Sequence, residues 1–102
     1  MKLNVIERLT LLQILPQEGN FLTLKVLRDL TSTVAMNEKE FKEFNIQQEG
    51  ERVTWNVKGN EERKIEIGEK AADLIIEALK GLDKNKKLEQ RHFSLYQKFV
   101  DR

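Results

Sequence analysis

The spacing of apolar residues near the start of the chain predicts a helix. Apolar side chains recur every three or four positions from Val5 to Leu15, which is the period of a helix with one buried face. Asn4 and Glu7 have the spacing of a capping box, in which each side chain accepts a hydrogen bond from the other residue's backbone N–H. Pro16 ends the helix, because proline lacks the N–H that another turn requires.

Two further helices are predicted before the pattern changes. Thr23 is placed to cap the second helix, whose apolar stripe runs from Leu27 to Val34. Asn37, followed three residues later by a glutamate, repeats the capping-box spacing and begins a short third helix that continues to about Phe44.

After the third helix the period changes from about 3.6 residues to 2. Apolar and polar residues alternate along three short segments, at 44–47, 52–57 and 64–67, and such alternation is typical of strands with one buried face. A glycine lies in each of the two turns between them. The pattern predicts a three-stranded antiparallel meander with Trp55 on its apolar face.

Two helices are predicted at the end of the chain. Residues 69–80 have the widest apolar arc of any segment, which favours a buried helix. Gly81 followed by Leu82 is typical of a glycine cap that closes a Schellman motif. The last helix carries apolar residues from Leu88 to Val100.

The resulting fold class is α+β, in one domain over residues 1–102. It comprises three N-terminal helices, a three-stranded antiparallel β-meander and two C-terminal helices. No internal repeat or proline-rich linker divides the chain. A winged helix has a similar order of elements, so DNA binding is a hypothesis to weigh.

Composition restricts the kinds of catalytic and metal site that the chain can form. The chain has no cysteine, one histidine and a net charge of +1, so thiolate chemistry and cysteine-ligated metal sites are excluded. His92 lies on the apolar stripe of the last helix, where a packing role is the ordinary interpretation. No phosphate-binding glycine loop occurs. We therefore expect a non-enzymatic protein with no catalytic residue, no metal or cofactor site and no small-molecule ligand.

The near-neutral charge is the average of two opposed segments. Residues 38–51 carry a net charge of −3 and residues 80–91 a net charge of +3. The candidate acidic patch, which could mimic phosphate toward a basic host protein, is Glu38, Glu40, Glu43 and Glu49. The candidate nucleic-acid patch is Lys84, Lys86, Lys87 and Arg91. For each segment the ordinary interpretation is a solvated charged surface.

Three of the chain's aromatic residues, Phe93, Tyr96 and Phe99, lie in the last helix. They form a candidate protein interface, because an apolar helix behind a polar turn can dock in a partner's groove or against a second copy. The other interpretation is packing on the chain's own core, since a small domain has little apolar surface to spare. A homodimer through this helix is the concrete hypothesis.

The chain has no apolar run of signal-peptide or membrane-spanning length. Glu7 and Arg8 interrupt the first apolar segment, and the later runs are only a few residues long. We therefore expect a cytoplasmic protein that is not secreted and does not insert in a membrane.

Four segments resemble small hypothetical proteins encoded by phages and prophages. They are Leu15-Pro16-Gln17-Glu18-Gly19-Asn20, Val53-Thr54-Trp55-Asn56, Ile65-Glu66-Ile67-Gly68-Glu69-Lys70-Ala71 and Ser94-Leu95-Tyr96-Gln97-Lys98-Phe99-Val100. The resemblance implies expression in a bacterial host, as an accessory protein, a regulator or an inhibitor of host machinery, and it transfers no residue roles. The predicted function is protein binding, either to a host protein or to a second copy. The alternative is a nucleic-acid-binding regulator of winged-helix type that uses residues 80–91.

Overall fold

The computed structural model describes residues 1–101 and has an α+β architecture. The helices are α1 (Val5–Ile14), α2 (Phe21–Val34), α3 (Glu38–Glu43), α4 (Glu69–Lys84) and α5 (Phe93–Phe99). The strands are β1 (Lys2–Leu3), β2 (Gln47–Glu49), β3 (Arg52–Thr54) and β4 (Arg63–Lys64). Two short 3-10 helices cover Val57–Asn60 and Gln90–His92.

Asparagine side chains begin the first three helices. Both predicted capping boxes are present: the Asn4 side chain accepts from the Glu7 backbone N–H, and Asn37 does the same with Glu40. The prediction for α2 is wrong by one turn, because Asn20 is its cap and accepts from the Thr23 N–H at 2.8 Å. Thr23 therefore lies inside the first turn of the helix.

The strands form two separate pairs instead of the predicted three-stranded meander. β2 and β3 form an antiparallel hairpin, while β4 pairs antiparallel with β1 at the start of the chain. Asn56 prevents continuation of the second strand, because its side chain accepts from the Lys58 N–H and starts a 3-10 helix. Val57, which the alternation placed on the apolar face, is 80% exposed.

The hydrophobic core lies between the helices, and α4 packs against α1, α2 and α5. The core includes residues from both ends of the described chain. Its buried members are Leu3, Leu11, Leu15, Leu27, Leu30, Val34, Ile65, Ala71, Ile75, Leu79, Leu95 and Phe99.

Helix α4 continues one turn beyond its predicted end. Gly81 lies within the helix, and the Schellman motif forms around Lys86, whose φ is +57°. The Lys86 N–H donates to the Asp83 carbonyl at 3.0 Å, and the Lys87 N–H donates to the Leu82 carbonyl at 2.8 Å. These two bonds define the motif, so the predicted glycine cap at Gly81 and Leu82 is wrong, and the helix ends instead with Lys86 in the left-handed conformation.

None of the helices found in residues 1–101 has both the length and the apolar character needed to cross a bilayer.

Candidate functional site

Two of the four carboxylates in the predicted acidic patch belong to ion pairs of the fold. The first is Glu40, whose carboxylate accepts from both terminal nitrogens of Arg8, at 2.7 and 3.0 Å. Arg8 is 2% exposed and also donates to the carbonyls of Val34 and Ala35, at 2.8 and 3.0 Å. The hydrogen bonds from Arg8 hold the pKa of Glu40 below its usual range.

The second is Glu43, which pairs with Arg63 on β4. The Arg63 guanidinium also lies over the ring of buried Phe44, 4.8 Å from its centroid. Its hydrogen bond to Glu43 lowers the pKa of that carboxyl. Glu38 and Glu49 are exposed and form no ion pair in the described part of the chain. The patch therefore presents two free carboxylates instead of four, on two different elements.

The predicted basic patch is also divided. Lys84, Lys86 and Lys87 are exposed, with no carboxylate within 4.0 Å among residues 1–101. Arg91, in contrast, lies 3.1 Å from the Glu89 carboxylate through Nε and donates from Nη1 to the Gln13 side chain at 3.0 Å. Arg91 thus connects the segment before α5 to α1, and three lysines remain for an outside ligand.

The aromatic residues of α5 do not share one exposed face. Phe99 is 3% exposed and belongs to the core, whereas Phe93 is 61% exposed. Tyr96 is half-buried, and its hydroxyl donates to an Asp83 carboxylate oxygen at 3.2 Å. Burial and this acceptor raise the pKa of Tyr96. Of the three predicted interface residues, Phe93 alone is largely available to a partner.

A larger apolar surface lies at the start of α2, where sequence patterning did not place one. Phe21, Leu22 and Leu24 are 82%, 57% and 43% exposed. Beside them is a groove of about 860 Å³ between α1 and α2, the α1–α2 groove. Its lining is Leu12, Leu15, Pro16, Gln17, Phe21, Leu24, Lys25, Leu27, Arg28, Asp29 and Thr31. The sequence signal is that Phe21 and Leu24 are apolar although they lie outside the stripe that α2 buries.

The charged side chains of the α1–α2 groove are mainly basic. Lys25 and Arg28 are exposed and have no carboxylate within 4.0 Å among residues 1–101. Asp29 is the one acidic residue of the lining. The groove therefore combines an apolar floor with two cations that are free to pair with an incoming carboxylate.

A second cavity surrounds His92, between α4 and the C-terminal end of α1. This His92 cleft has a volume of about 880 Å³. Its lining is Gln13, Ile14, Pro16, Leu74, Glu77, Ala78, Gly81, Leu82, Lys87, Glu89, Arg91 and His92. His92 is 3% exposed, and its Nδ1 accepts from the Glu89 backbone N–H at 2.8 Å. The structure thus gives His92 a packing position, as the apolar stripe predicted, and also places it in the wall of a cleft.

Within residues 1–101, no group of three or more acidic or histidine side chains is placed to hold a metal ion.

Comparison with protein-family models, with curated proteins and with solved structures finds no match to this chain. The resemblance to phage-encoded proteins consequently stays a prediction from the four sequence segments.

Proposed function

We propose that this chain is a non-enzymatic protein-binding module whose docking surface is the α1–α2 groove. The proposed occupant is an amphipathic helix of another protein, with carboxylates beside its apolar face. The observation that supports this most directly is the 82% exposure of Phe21 next to a groove of about 860 Å³. A large apolar side chain at the mouth of an apolar groove is typical of a helix-binding surface.

The dimensions of the groove fit a short helix. Its lining extends from Phe21 to Thr31 along α2, which at a rise of about 1.5 Å per residue is roughly 16 Å, or three helical turns. Residues 21, 24 and 28 share one face of α2, because their spacing is i, i+3 and i+7. An apolar stripe of the same period on the partner would meet this face along its whole length.

Charge favours a foreign acidic helix over a second copy of this chain. Lys25 and Arg28 require carboxylates opposite them, and a two-fold contact through the same face would bring these cations toward their own copies. In such a dimer the two copies of Asp29 would offset only two of the four positive charges. Homodimerisation, which the aromatic residues of α5 also suggested, is therefore an outcome of the test.

The setting is proposed from the sequence resemblance alone. We place the protein in the cytoplasm of a bacterial host, as a phage accessory protein that binds a host protein. The nucleic-acid alternative keeps three lysines, one at the end of α4 and two just after it, but Arg91 contacts Glu89 and Gln13 instead. A winged helix would also use α3 as its recognition helix. This helix has only six residues, and two of its glutamates form ion pairs within the fold.

The experiment uses two helical peptides of about four turns that present the same leucine stripe. One carries glutamates beside the stripe and the other carries lysines. We expect the acidic peptide to bind at least tenfold more tightly in fluorescence anisotropy, with a salt dependence. Addition of this peptide should shift the backbone amide resonances of residues 12–31 of the protein in NMR spectra.

Exposed phenylalanines provide matched variants. Phe21→Ser should abolish binding of the acidic peptide, whereas Phe93→Ser, on α5 and outside the lining of the groove, should leave it unchanged. Equal binding of both peptides, or loss of binding in Phe93→Ser only, would overturn the proposal. A stable dimer in sedimentation that Phe21→Ser dissociates would replace the foreign helix with a second copy. Tight binding of duplex DNA that Lys84→Glu removes, without peptide binding, would establish the nucleic-acid alternative.

A further inference from the structure

The His92 cleft has the size and the mixed lining of a small-molecule site. Its volume of about 880 Å³ lies within the range of roughly 300–1,000 Å³ that is common for ligand pockets. Ile14, Leu74, Ala78 and Leu82 supply an apolar wall, and polar side chains lie at the end formed by residues 87–92. Such a distribution suits a ligand with an apolar body and one polar head.

The orientation of His92 makes it a hydrogen-bond donor toward the cleft. Its Nδ1 accepts from the Glu89 N–H and so carries no proton, which places the proton of the neutral ring on Nε2. Nε2 forms no hydrogen bond with the described residues. Among the described residues, Glu7 Oε2 is the side-chain nitrogen or oxygen that is both fully buried and without a hydrogen-bond partner. His92 Nε2 also lacks a partner but is not fully buried, so this atom retains some solvent access. The His92 ring is 97% buried and lines the cleft, so the access to Nε2 is from the cleft.

Gly81 keeps one wall of the cleft open. It lies inside α4, where glycine costs roughly 0.5–1 kcal/mol relative to alanine. Neither packing nor backbone conformation requires it, because a Cβ at this position meets no atom within 4 Å and φ is not positive. The missing side chain adds free volume to the cleft.

The lining carries two acids and two bases, of which Glu77 and Lys87 form no ion pair with the described residues. Lys87 belongs to the same 87–92 segment as His92, whereas Glu77 lies on α4. Glu89 is already paired with Arg91 at 3.1 Å, which leaves Lys87 with no carboxylate within 4.0 Å in the described chain. Glu77, the other acid of the lining, lies on the exposed side of α4 beside the apolar wall. Lys87 and His92 therefore supply a cation and a neutral donor that no protein group satisfies.

We propose that the His92 cleft binds a small organic anion, with its carboxylate accepting from His92 Nε2–H and pairing with Lys87, and its apolar body lying along Leu82 and Leu74. This inference is independent of the α1–α2 groove and departs from the sequence-based expectation that the chain has no small-molecule ligand. Protein binding at the groove and anion binding at the cleft can each be lost without the other.

The probes are octanoate, octanol and octylammonium, which share an apolar body and differ in the head group. We expect octanoate to shift the His92 ring resonances and the amides of residues 78–82 in NMR titrations. Octanol should bind more weakly, and octylammonium should not shift these signals. Equal affinities for all three probes, octanoate shifts confined to other residues, or no shift up to the solubility limit would each overturn the proposal.

Two lysines three positions apart provide the charge control. Lys87→Gln should weaken octanoate binding about threefold to fivefold, whereas Lys84→Gln, which removes the same charge outside the lining, should leave it unchanged. An equal effect of the two substitutions would contradict a specific pairing.

Gly81→Leu tests the volume of the cleft without relying on His92, whose replacement would also remove the acceptor for the Glu89 N–H. We expect this variant to remain folded, because leucine is a strong helix former, and to lose octanoate binding at least tenfold. Retained binding in a folded Gly81→Leu protein would exclude this cleft as the site.

Discussion

Arg8 and Glu40 form a bidentate ion pair that connects the first three helices. The Arg8 guanidinium extends from α1 and donates hydrogen bonds from both of its terminal nitrogens to the Glu40 carboxylate on α3. It also donates to the carbonyls of Val34 and Ala35 at the end of α2. The Arg8 side chain is 2% exposed and the Glu40 side chain 16%. Arg8 thus provides hydrogen-bond donors for the carbonyls at the end of α2 and positions α3 through Glu40.

Replacement of Arg8 should therefore destabilise the protein strongly. Arg8→Met retains much of the side-chain volume but leaves Glu40 without its partner and two carbonyls without donors. We expect the free energy of unfolding to fall by about 3–5 kcal/mol, as for other broken buried ion pairs. Urea denaturation followed by circular dichroism measures this loss.

The exposed pair Lys64–Glu66 provides the control. Its side chains are 74% and 86% exposed, so Lys64→Met should change the free energy of unfolding by less than about 1 kcal/mol. Similar losses in the two variants would show that burial does not distinguish these pairs.

The sequence predicted the α+β class and the starts of α1 and α3, because the signals for those starts are local. The capping boxes at Asn4 and Asn37 depend on residues three positions apart, and both are present. Burial of Arg8 could not be predicted in this way. Its partners lie 26 to 32 positions further along the chain, and an arginine in a first helical turn is ordinarily solvated.

Strand pairing and the candidate sites likewise depend on contacts between residues far apart in the chain, which local patterns do not predict. Alternation along residues 64–67 indicated a strand, but the strand that forms there pairs with Lys2–Leu3 near the start of the chain. The same holds for the surface residues: periodicity placed Phe99 and Phe93 on one helix, while packing buried the first and exposed the second. The α1–α2 groove arises from two helices, so patterning of either one alone did not reveal it.

Acid should destabilise the protein through its paired carboxylates. Hydrogen bonds from Arg8, Arg63 and Lys98 lower the pKa values of Glu40, Glu43 and Glu62 from the ordinary value of 4.5. A carboxyl whose pKa is lower in the folded state stabilises the protein above its unfolded pKa, and this contribution is lost as the pH falls through the folded value. The free energy of unfolding should thus decrease below about pH 4.5.

Glu40→Gln isolates one of these contributions. This variant should be less stable than the parent at neutral pH, and its stability should fall less steeply between about pH 5 and pH 3. Glu38→Gln, in the same helix but without an ion pair, should retain the parent's acid dependence. Urea denaturation at a series of pH values compares the three proteins, and parallel curves for Glu40→Gln and the parent would contradict the assignment.

Gly59 should not tolerate a side chain, because it is buried beneath Trp55. A Cβ at Gly59 would lie 3.0 Å from Val5 Cγ2 and closer still to Trp55 Cδ1. Gly59→Ala should cost about 1–3 kcal/mol, as overpacking does elsewhere, and should alter the fluorescence of Trp55, the single tryptophan of the chain. Gly81→Ala, where a Cβ meets open space, should instead stabilise α4 by about 0.5–1 kcal/mol.

The Schellman motif at the end of α4 makes two neighbouring lysines respond in opposite ways to the same substitution. Lys86 has a φ of +57°, which is strained for any residue with a Cβ and free of strain for glycine. Lys86→Gly should raise the free energy of unfolding by about 0.5–1 kcal/mol. Lys84, two residues earlier, is the last residue of the helix, so Lys84→Gly should lower it by up to about 1 kcal/mol. Both variants remove one positive charge, and thermal unfolding measures them side by side. Destabilisation by both would mean that the helix does not end in a left-handed residue at position 86.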